Sequence, residues 1–358
     1  MPSASRVILS VAGSGKTTRA VEQALANREG VTALVTYTRN NIREIENKIL
    51  ERERAVPSRI EVISWYTFLL HELARPYRAA LHDKRIDGIQ FVQGKSLWGI
   101  PAWKIGPFYF KGGNQIYQDK LAQFACACDE KTEGAVMRRL AQRFSHIIID
   151  EVQDLAGYDL ELVERMLKAG IAMTFIGDHR QATLTTHHAS KNKAYAKASI
   201  VKKFEDWRDA GLLAIEFESH THRCNQAIAD LSDSLFPGLP RTQSLNRVVT
   251  GHDGIFAVRS ADIGKYVETF TPQVLRFSAA TNCEPHRALN FGESKGMTFD
   301  RVLIFPHGPT LKWLVTGDTS QVDKSLTKLY VAITRARFSV AFVLDKTQSQ
   351  IDAKLWVQ

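Results

Sequence analysis

Val7-Ile8-Leu9-Ser10-Val11-Ala12-Gly13-Ser14-Gly15-Lys16-Thr17-Thr18 opens with three apolar residues and passes through a glycine-spaced loop to a lysine and two threonines. A short buried strand that ends in such a loop and leads into a helix presents backbone N–H groups to an anion, and the helix dipole favours negative charge at the same place. Ala12, Gly13, Ser14, Gly15, Lys16, Thr17 and Thr18 therefore form a candidate nucleotide-phosphate cradle. In it Lys16 is expected to reach the β and γ phosphates of a nucleotide and Thr17 to ligate Mg²⁺. Ser10 stands where the usual pattern has its first glycine.

About 135 residues downstream, Ile147-Ile148-Ile149 delivers Asp150-Glu151-Val152-Gln153-Asp154. In an open parallel sheet the carboxyl end of a strand faces the ligand crevice. Asp150 is thus a candidate Mg²⁺ holder, and Glu151 a candidate to polarise the attacking water.

Between and beyond these segments, apolar runs at Thr32–Val35, Ile60–Ile63 and Met173–Ile176 alternate with helical patterns over Thr17–Asn27 and Asn40–Arg54. Apolar runs without alternation suit strands covered on both faces, so the class is α/β with parallel sheets flanked by helices. A second series (Leu213–Phe217, Val274–Phe277, Val302–Phe305, Val340–Leu344) predicts a second α/β domain. Gly211 ends a helical stretch over Ala194–Ala210 and marks the expected joint, dividing the chain into 1–211 and 212–358. Over 73–142 the strand signal fades among glycines and aromatics, which reads as an insertion in the first domain. Its Lys95, Trp98, Trp103, Lys104, Tyr109 and Lys111 suit either a stacking surface for a single strand or the insertion's own small core.

The chain has 358 residues, and 47 Lys plus Arg against 38 Asp plus Glu leave a net charge of +9. The basic excess favours an acidic partner such as nucleic acid, and fits a merely basic globular protein as well. No apolar run is long enough to span a bilayer, so no membrane association is expected. Cys126, Cys128, Cys224 and Cys283 show no zinc spacing, which points to reduced thiols in a cytoplasmic protein, with Cys126 and Cys128 as plain helix residues.

In motif order, nearly the whole chain resembles superfamily 1 DNA helicases of the UvrD/Rep/PcrA type. Ala12–Thr17 is similar to motif I, Thr36–Asn40 to motif Ia, Ser64–Phe68 to the TxHSF segment, and Asp150–Asp154 to motif II. Gly177-Asp178-His179-Arg180-Gln181 resembles motif III, Thr221-His222-Arg223 motif IV, Ser294–Asp300 motif V and Tyr330–Ala336 motif VI. The resemblance implies two tandem RecA-like P-loop NTPase domains with ATP hydrolysed at their interface. It also implies that Gln181 senses the γ-phosphate, that Arg223 and Arg335 act as arginine fingers from the second domain, and that His222 stands where the family stacks a tyrosine on adenine. On the strand side it implies contacts from Tyr37, Thr38, Arg39, Asn40, Ser64, Tyr66, Ser294 and Lys295, although Tyr37 also suits a core tyrosine at a strand end. Lys191, Lys193, Lys197, Lys202 and Lys203 suit either the strand path or a solvated helix face.

The implied activity is a DNA-dependent ATPase that translocates 3′ to 5′ on single-stranded DNA or a partial duplex. The sequence leaves open an ATP-gated module that licenses a partner nuclease in repair, phage replication or defence, and an RNA track, since nothing reads a 2′-hydroxyl. Three departures from the family pattern carry expectations. No glutamine precedes Val7 to read adenine, so weak base discrimination is expected. Leu184 and Thr186 replace the aromatic pair that commonly follows motif III. The stretch from Cys224 to Asn290 is too short for the accessory domain of the large helicases, so a compact form is expected.

Overall fold

The computed structural model describes residues 5–97, 99–183, 191–345 and 350–357; Trp98, Leu184 and Thr186 lie outside the described residues. Two compact units emerge. The first comprises Met1–Leu9 with Lys16–Phe217, and the second Ser10–Gly15 with Glu218–Gln358.

The first unit is built on β1 (Arg6–Ser10), β2 (Thr32–Thr36), β3 (Ile60–Ser64), β7 (His146–Asp150), β8 (Met173–Gly177) and β9 (Ala214–Glu218), in the spatial order β3-β2-β7-β8-β1-β9. The pairs β2/β3, β2/β7, β7/β8 and β1/β8 are all parallel. Side chains alternate across each strand, which sorts the apolar runs onto two faces. Ile8, Leu34, Ile148 and Ile176 meet Ala20, Val21 and Ala24 of α1 (Lys16–Ala26) and Ile45 and Ile49 of α2 (Arg39–Glu53). Val7, Leu9, Val35, Ile147, Ile149 and Phe175 point the other way, into a larger core. Both faces are covered, which is why these strands read as continuous apolar runs.

Residues 73–142 contribute to that larger core. A small sheet of β4 (Gly88–Gln90), β5 (Phe110–Lys111) and β6 (Gln115–Tyr117), ordered β4-β6-β5, is followed by helices Leu121–Lys131 and Ala135–Arg143. Tyr109, Phe110, Phe124 and Leu140 are buried among the residues packed on the main sheet, so these aromatics are core. Trp103 is the contrast, 74% exposed with the Lys104 ammonium over its ring.

The second unit pairs β10 (His220–Thr221) with β11 (Gln243–Ser244). It also stacks β12 (Gly254–Val258), β13 (Gln273–Arg276), β14 (Ala288–Asn290), β15 (Phe299–Phe305), β16 (Ala336–Val343) and β17 (Lys354–Leu355) in the order β14-β13-β15-β16-β12-β17, every adjacent pair parallel. The same sorting recurs. Ile255, Leu275, Val302, Ile304 and Val340 face one core with Ile228, Trp313 and Tyr330, while Phe256, Val258, Val274 and Leu303 face another with Tyr266. The expected architecture of two α/β domains with parallel sheets therefore holds. The stretch from Cys224 to Asn290 is occupied by helices Gln226–Ser234 and Ile263–Phe270 and by β11 to β14, that is, by elements of the unit itself.

One strand is corrected. Leu213–Phe217, expected to open the second domain, forms β9 at the edge of the first sheet, beside β1. Ala214 N donates to Ser5 O, and Glu216 accepts ion pairs from Arg6 and Arg19. The contact boundary accordingly falls at Phe217/Glu218 rather than at Gly211. Gly211 does terminate the preceding helix, Ile200–Asp209, at φ +71°, but a helix stop does not say to which sheet the next strand belongs. The expected helix over Ala194–Ala210 is shorter for the same local reason: 3₁₀ turns occupy Lys193–Tyr195 and Lys197–Ser199.

Candidate nucleotide site and nucleic-acid interface

Strand order positions the charged groups. β7 carries the acidic pair, β1 leads to the glycine loop, and β8 lies between them and ends in Gly177-Asp178, so three strand termini converge on one end of the sheet. Thr17, in the first turn of α1, donates through Oγ1 to Asp150 Oδ2 at 3.5 Å. Asp150 is buried, and its carboxyl is raised by desolvation and by the neighbouring Glu151 charge, while Lys16 and the Glu151 N–H oppose the shift. Asp178 is fully buried. Burial alone would raise its carboxyl, but Arg180 and then Lys16 hold it well below the usual range. Lys16 thus acts on carboxylates from two different strands.

Glu151 sits at φ +58°, a left-handed conformation uncommon for a residue with a Cβ. The turn lets its backbone N–H cap Asp150 Oδ1 at 2.9 Å, and its own carboxylate accepts from Gln153 Nε2. The other end of that amide, Gln153 Oε1, accepts from Asp178 N at 3.1 Å. Asp178 then accepts from Arg180 Nε at 3.0 Å and from Gln181 Nε2 at 2.8 Å. A continuous hydrogen-bonded chain, buried from Gln153 onward, therefore runs Glu151–Gln153–Asp178–Gln181. Gly177 is required beside it, because a Cβ there would lie 2.2 Å from Gln153 Oε1. Gln153, Asp178 and Arg180 had no role assigned from sequence. Their presence inside motif-like strings was the available signal, and only the fold shows that one amide joins the two strings.

Ser10–Gly15 belongs to the second unit, where its backbone is anchored. Thr221 Oγ1 donates to Ala12 O at 2.7 Å, His222 N donates to Gly13 O at 2.9 Å, and Ala12 N donates to Tyr330 Oη at 3.3 Å. Gly13, at φ +77°, admits this approach, since a Cβ would stand 2.5 Å from Arg223 Cβ. The Ser14 hydroxyl is buried with no hydrogen-bond partner among the described residues, and Gly15, at φ +86°, opens onto free space. An enclosed hydroxyl without a partner is the kind of group a phosphate oxygen satisfies.

Within the same unit, Arg223 Nη1 donates to Thr334 O at 3.1 Å, and Arg335 Nη2 donates to Thr334 Oγ1 at 3.4 Å, so the two arginines meet at Thr334. Arg335 is only 1% exposed, and its Nε and Nη1 donate to the carbonyls of Val331 and Met297. His222 is exposed.

The residues expected to touch a strand separate into two groups. Thr38 caps α2, its Oγ1 accepting from Asn41 N at 3.1 Å, which leaves Arg39 and Asn40 exposed in the first helical turn. Ser64 caps the short helix Trp65–Phe68 in the same way, through Thr67 N. Tyr66 is half-buried and its hydroxyl accepts from Gln118 Nε2 at 2.6 Å; burial is the main cause that raises its phenol. Tyr37 packs on the main core with its ring 6.3 Å from Trp65, and its hydroxyl is enclosed, as a core tyrosine. Ser294 is buried and donates to Phe291 O at 2.7 Å, so its hydroxyl serves the local turn, whereas Lys295 is half-exposed. Of the basic stretch, Lys191 pairs with Glu161 and Lys203 with Glu164, while Lys193, Lys197 and Lys202 are exposed. All four cysteines are buried and free, and no helix among the described residues is long and apolar enough to cross a membrane.

Comparison with known proteins agrees with the motif reading over part of the chain. Residues 110–212, which carry the Asp150–Asp154 and Gly177–Gln181 strings, match the UvrD/REP helicase N-terminal domain. The resemblance to superfamily 1 helicases is thus found independently in that segment. Among solved structures, the arterivirus nonstructural protein 10 helicase is similar at 17% identity and TM-score 0.49, over 96% of this chain and 61% of that one. Its complex with DNA gives 16% identity and TM-score 0.49 over the same shares. The PRRSV helicase gives 15% identity and TM-score 0.46, over 98% of this chain and 55% of that one. The chain therefore spans less than two thirds of the length of these proteins. No curated protein matches it.

Proposed function

We propose that this chain is an ATP-dependent translocase and helicase of single-stranded DNA, moving 3′ to 5′ and hydrolysing ATP with residues drawn from both of its α/β domains. The observation that carries the reading is the convergence of Lys16, Thr17, Asp150 and the Glu151–Gln153–Asp178–Gln181 chain at one end of the first sheet.

The donors suit a hard divalent cation: a hydroxyl and a buried carboxylate side by side, with few protein ligands, as Mg²⁺ on nucleotide phosphates prefers. Thr17 and Asp150 would hold it, and bound there it would supply neutralisation of the phosphate charge. Lys16 binds the terminal phosphates, and the buried Ser14 hydroxyl donates to a phosphate oxygen. Glu151 accepts the proton of the attacking water, with its carboxylate oriented by the Gln153 amide. Gln181, fixed on Asp178, reports the state of the terminal phosphate to the same network. Arg223 and Arg335 offset charge on the transferred phosphoryl group, an effect worth about 10³ to 10⁵ in rate in related chemistry.

Removing the lysine or the base tests the assignment. Lys16→Ala is expected to lose nucleotide binding and turnover together, whereas Glu151→Gln keeps binding and loses turnover by about 10³-fold or more. Movement is tested by streptavidin displacement from the end of a labelled single strand. ATP-dependent release supports translocation, and turnover without release contradicts it.

A further inference from the structure

Phe91 follows the last residue of β4 and is 61% exposed, an unusual place for a large apolar ring. It is not a stray side chain. Its ring stands against Tyr66 edge to face, with centroids 5.8 Å apart and an interplanar angle of 86°. Parallel pairing of β4 with β6 sets Gln90 opposite Tyr117, so the next residues along the two strands are Phe91 and Gln118. Both reach the same tyrosine: Phe91 on its ring, and Gln118 on its hydroxyl. Tyr66 is therefore held at both ends while Phe91 keeps a face to solvent. A cation is linked to it through the neighbouring residue, for Lys111 Nζ donates to Gln90 Oε1 at 3.3 Å and Gln90 Nε2 donates to the Phe91 carbonyl at 2.9 Å.

We propose that Phe91, braced by Tyr66 and flanked by Lys111, is a stacking step for an unpaired nucleobase, with Lys111 serving the adjacent phosphate. The inference rests on the proposed strand-tracking function and names a contact for it within the small sheet. A flat apolar face beside a cation is what a strand without sequence preference requires, since every base has a π-face and every linkage a negative charge. Trp103, the other exposed aromatic among the described residues of this region, differs because its own Lys104 ammonium lies 5.1 Å from the ring centroid.

The test is binding of fluorescently labelled strands by anisotropy at fixed salt, without nucleotide, using oligo-dT, oligo-U and an abasic strand of equal length. Phe91→Ala should weaken binding of the base-bearing strand about five- to a hundred-fold and leave the abasic strand unchanged. Phe91→Trp should restore it, and Lys111→Gln should weaken all strands alike with a shallower salt dependence. Whichever of oligo-dT and oligo-U the wild type binds more tightly identifies the track. Equal loss on base-bearing and abasic strands, or no loss with Phe91→Ala, overturns the stacking step. Failure of the wild type to bind any strand instead overturns the function on which the inference rests.

Discussion

The end of the first sheet proposed to bind phosphate and the surface proposed to meet a strand are built by opposite means. At the phosphate end, charged and amide groups are buried and satisfy one another: Asp178 accepts from three partners on Arg180 and Gln181, and Gln153 joins two strand termini through one side chain. At the strand surface, polar side chains cap helix ends and leave the first helical residues exposed, as Thr38 does ahead of Arg39 and Asn40. Buried charge is costly unless fully paired, so the first region tolerates little change. Exposed groups have water as an alternative, so the second tolerates much.

The largest expected loss is at Asp178. Asp178→Ala removes the carboxylate that Arg180 faces inside the protein and should lower unfolding stability by about 3 to 5 kcal/mol, read in urea titration. A loss under about 1 kcal/mol would mean that the two regions do not differ. Next is Gly177→Ala. A methyl group 2.2 Å from Gln153 Oε1 and 3.2 Å from Val152 N must displace one of them. Destabilisation of about 1 to 3 kcal/mol is expected, with reduced turnover because Gln153 orients Glu151. Thr38→Ala should cost only about 1 kcal/mol, the ordinary loss of an N-cap. Arg39→Ala should leave stability within about 0.5 kcal/mol and weaken strand binding in a salt-dependent way.

The second unit supplies a pH-dependent counterpart. His252 is stacked between Phe256 and Phe270, with ring centroids 3.9 and 3.7 Å away, and its Nε2 is 2.9 Å from Tyr266 Oη. Burial first, and then Arg301, push its pKa down to about 4, against the opposing charge of Asp253. A histidine kept neutral by folding contributes stability that is complete above its ordinary pKa and is lost as pH falls from about 6.5 towards 4. The melting temperature of the wild type should drop more across that window than that of His252→Gln. Parallel curves would show that the imidazole titrates as it does in the unfolded chain.

Legibility in the sequence divides along the same line. Five strands of the first sheet are readable from their apolar runs: four lie inside the sheet with both faces covered, and the edge strand Ile60–Ser64 interrupts its run with Glu61, while α1 and α2 are readable from their buried stripes. β9 was visible as a strand but misassigned, since an alternating edge strand carries no mark of the sheet it joins. Gly254–Val258 is buried along its whole length, yet its short run between a polar loop and a helix carries no distinct strand signal in sequence. Lys16 and Thr17 stand out in sequence through their spacing on a strand–loop–helix unit and Asp150 through its place at the end of an apolar strand, and the fold brings Thr17 and Asp150 together. The Gln153–Asp178 link is not legible there, because a side chain and a backbone N–H about 25 residues apart meet only through the pairing of β7 with β8. Ser294 shows the limit in the other direction: motif position suggested contact with a strand, and its buried hydroxyl donates to Phe291 O, whereas Tyr37, for which a core role was also open, is partly buried against the main core.

The central claim is that a strand and a nucleotide act on one machine. Its most direct measurement is the rate of ATP turnover with and without saturating single-stranded DNA, for the wild type and for Glu151→Gln. Turnover that rises at least about tenfold with DNA in the wild type, and is absent in both conditions in the variant, is the predicted result. Turnover indifferent to DNA, or unaffected by Glu151→Gln, would contradict the account.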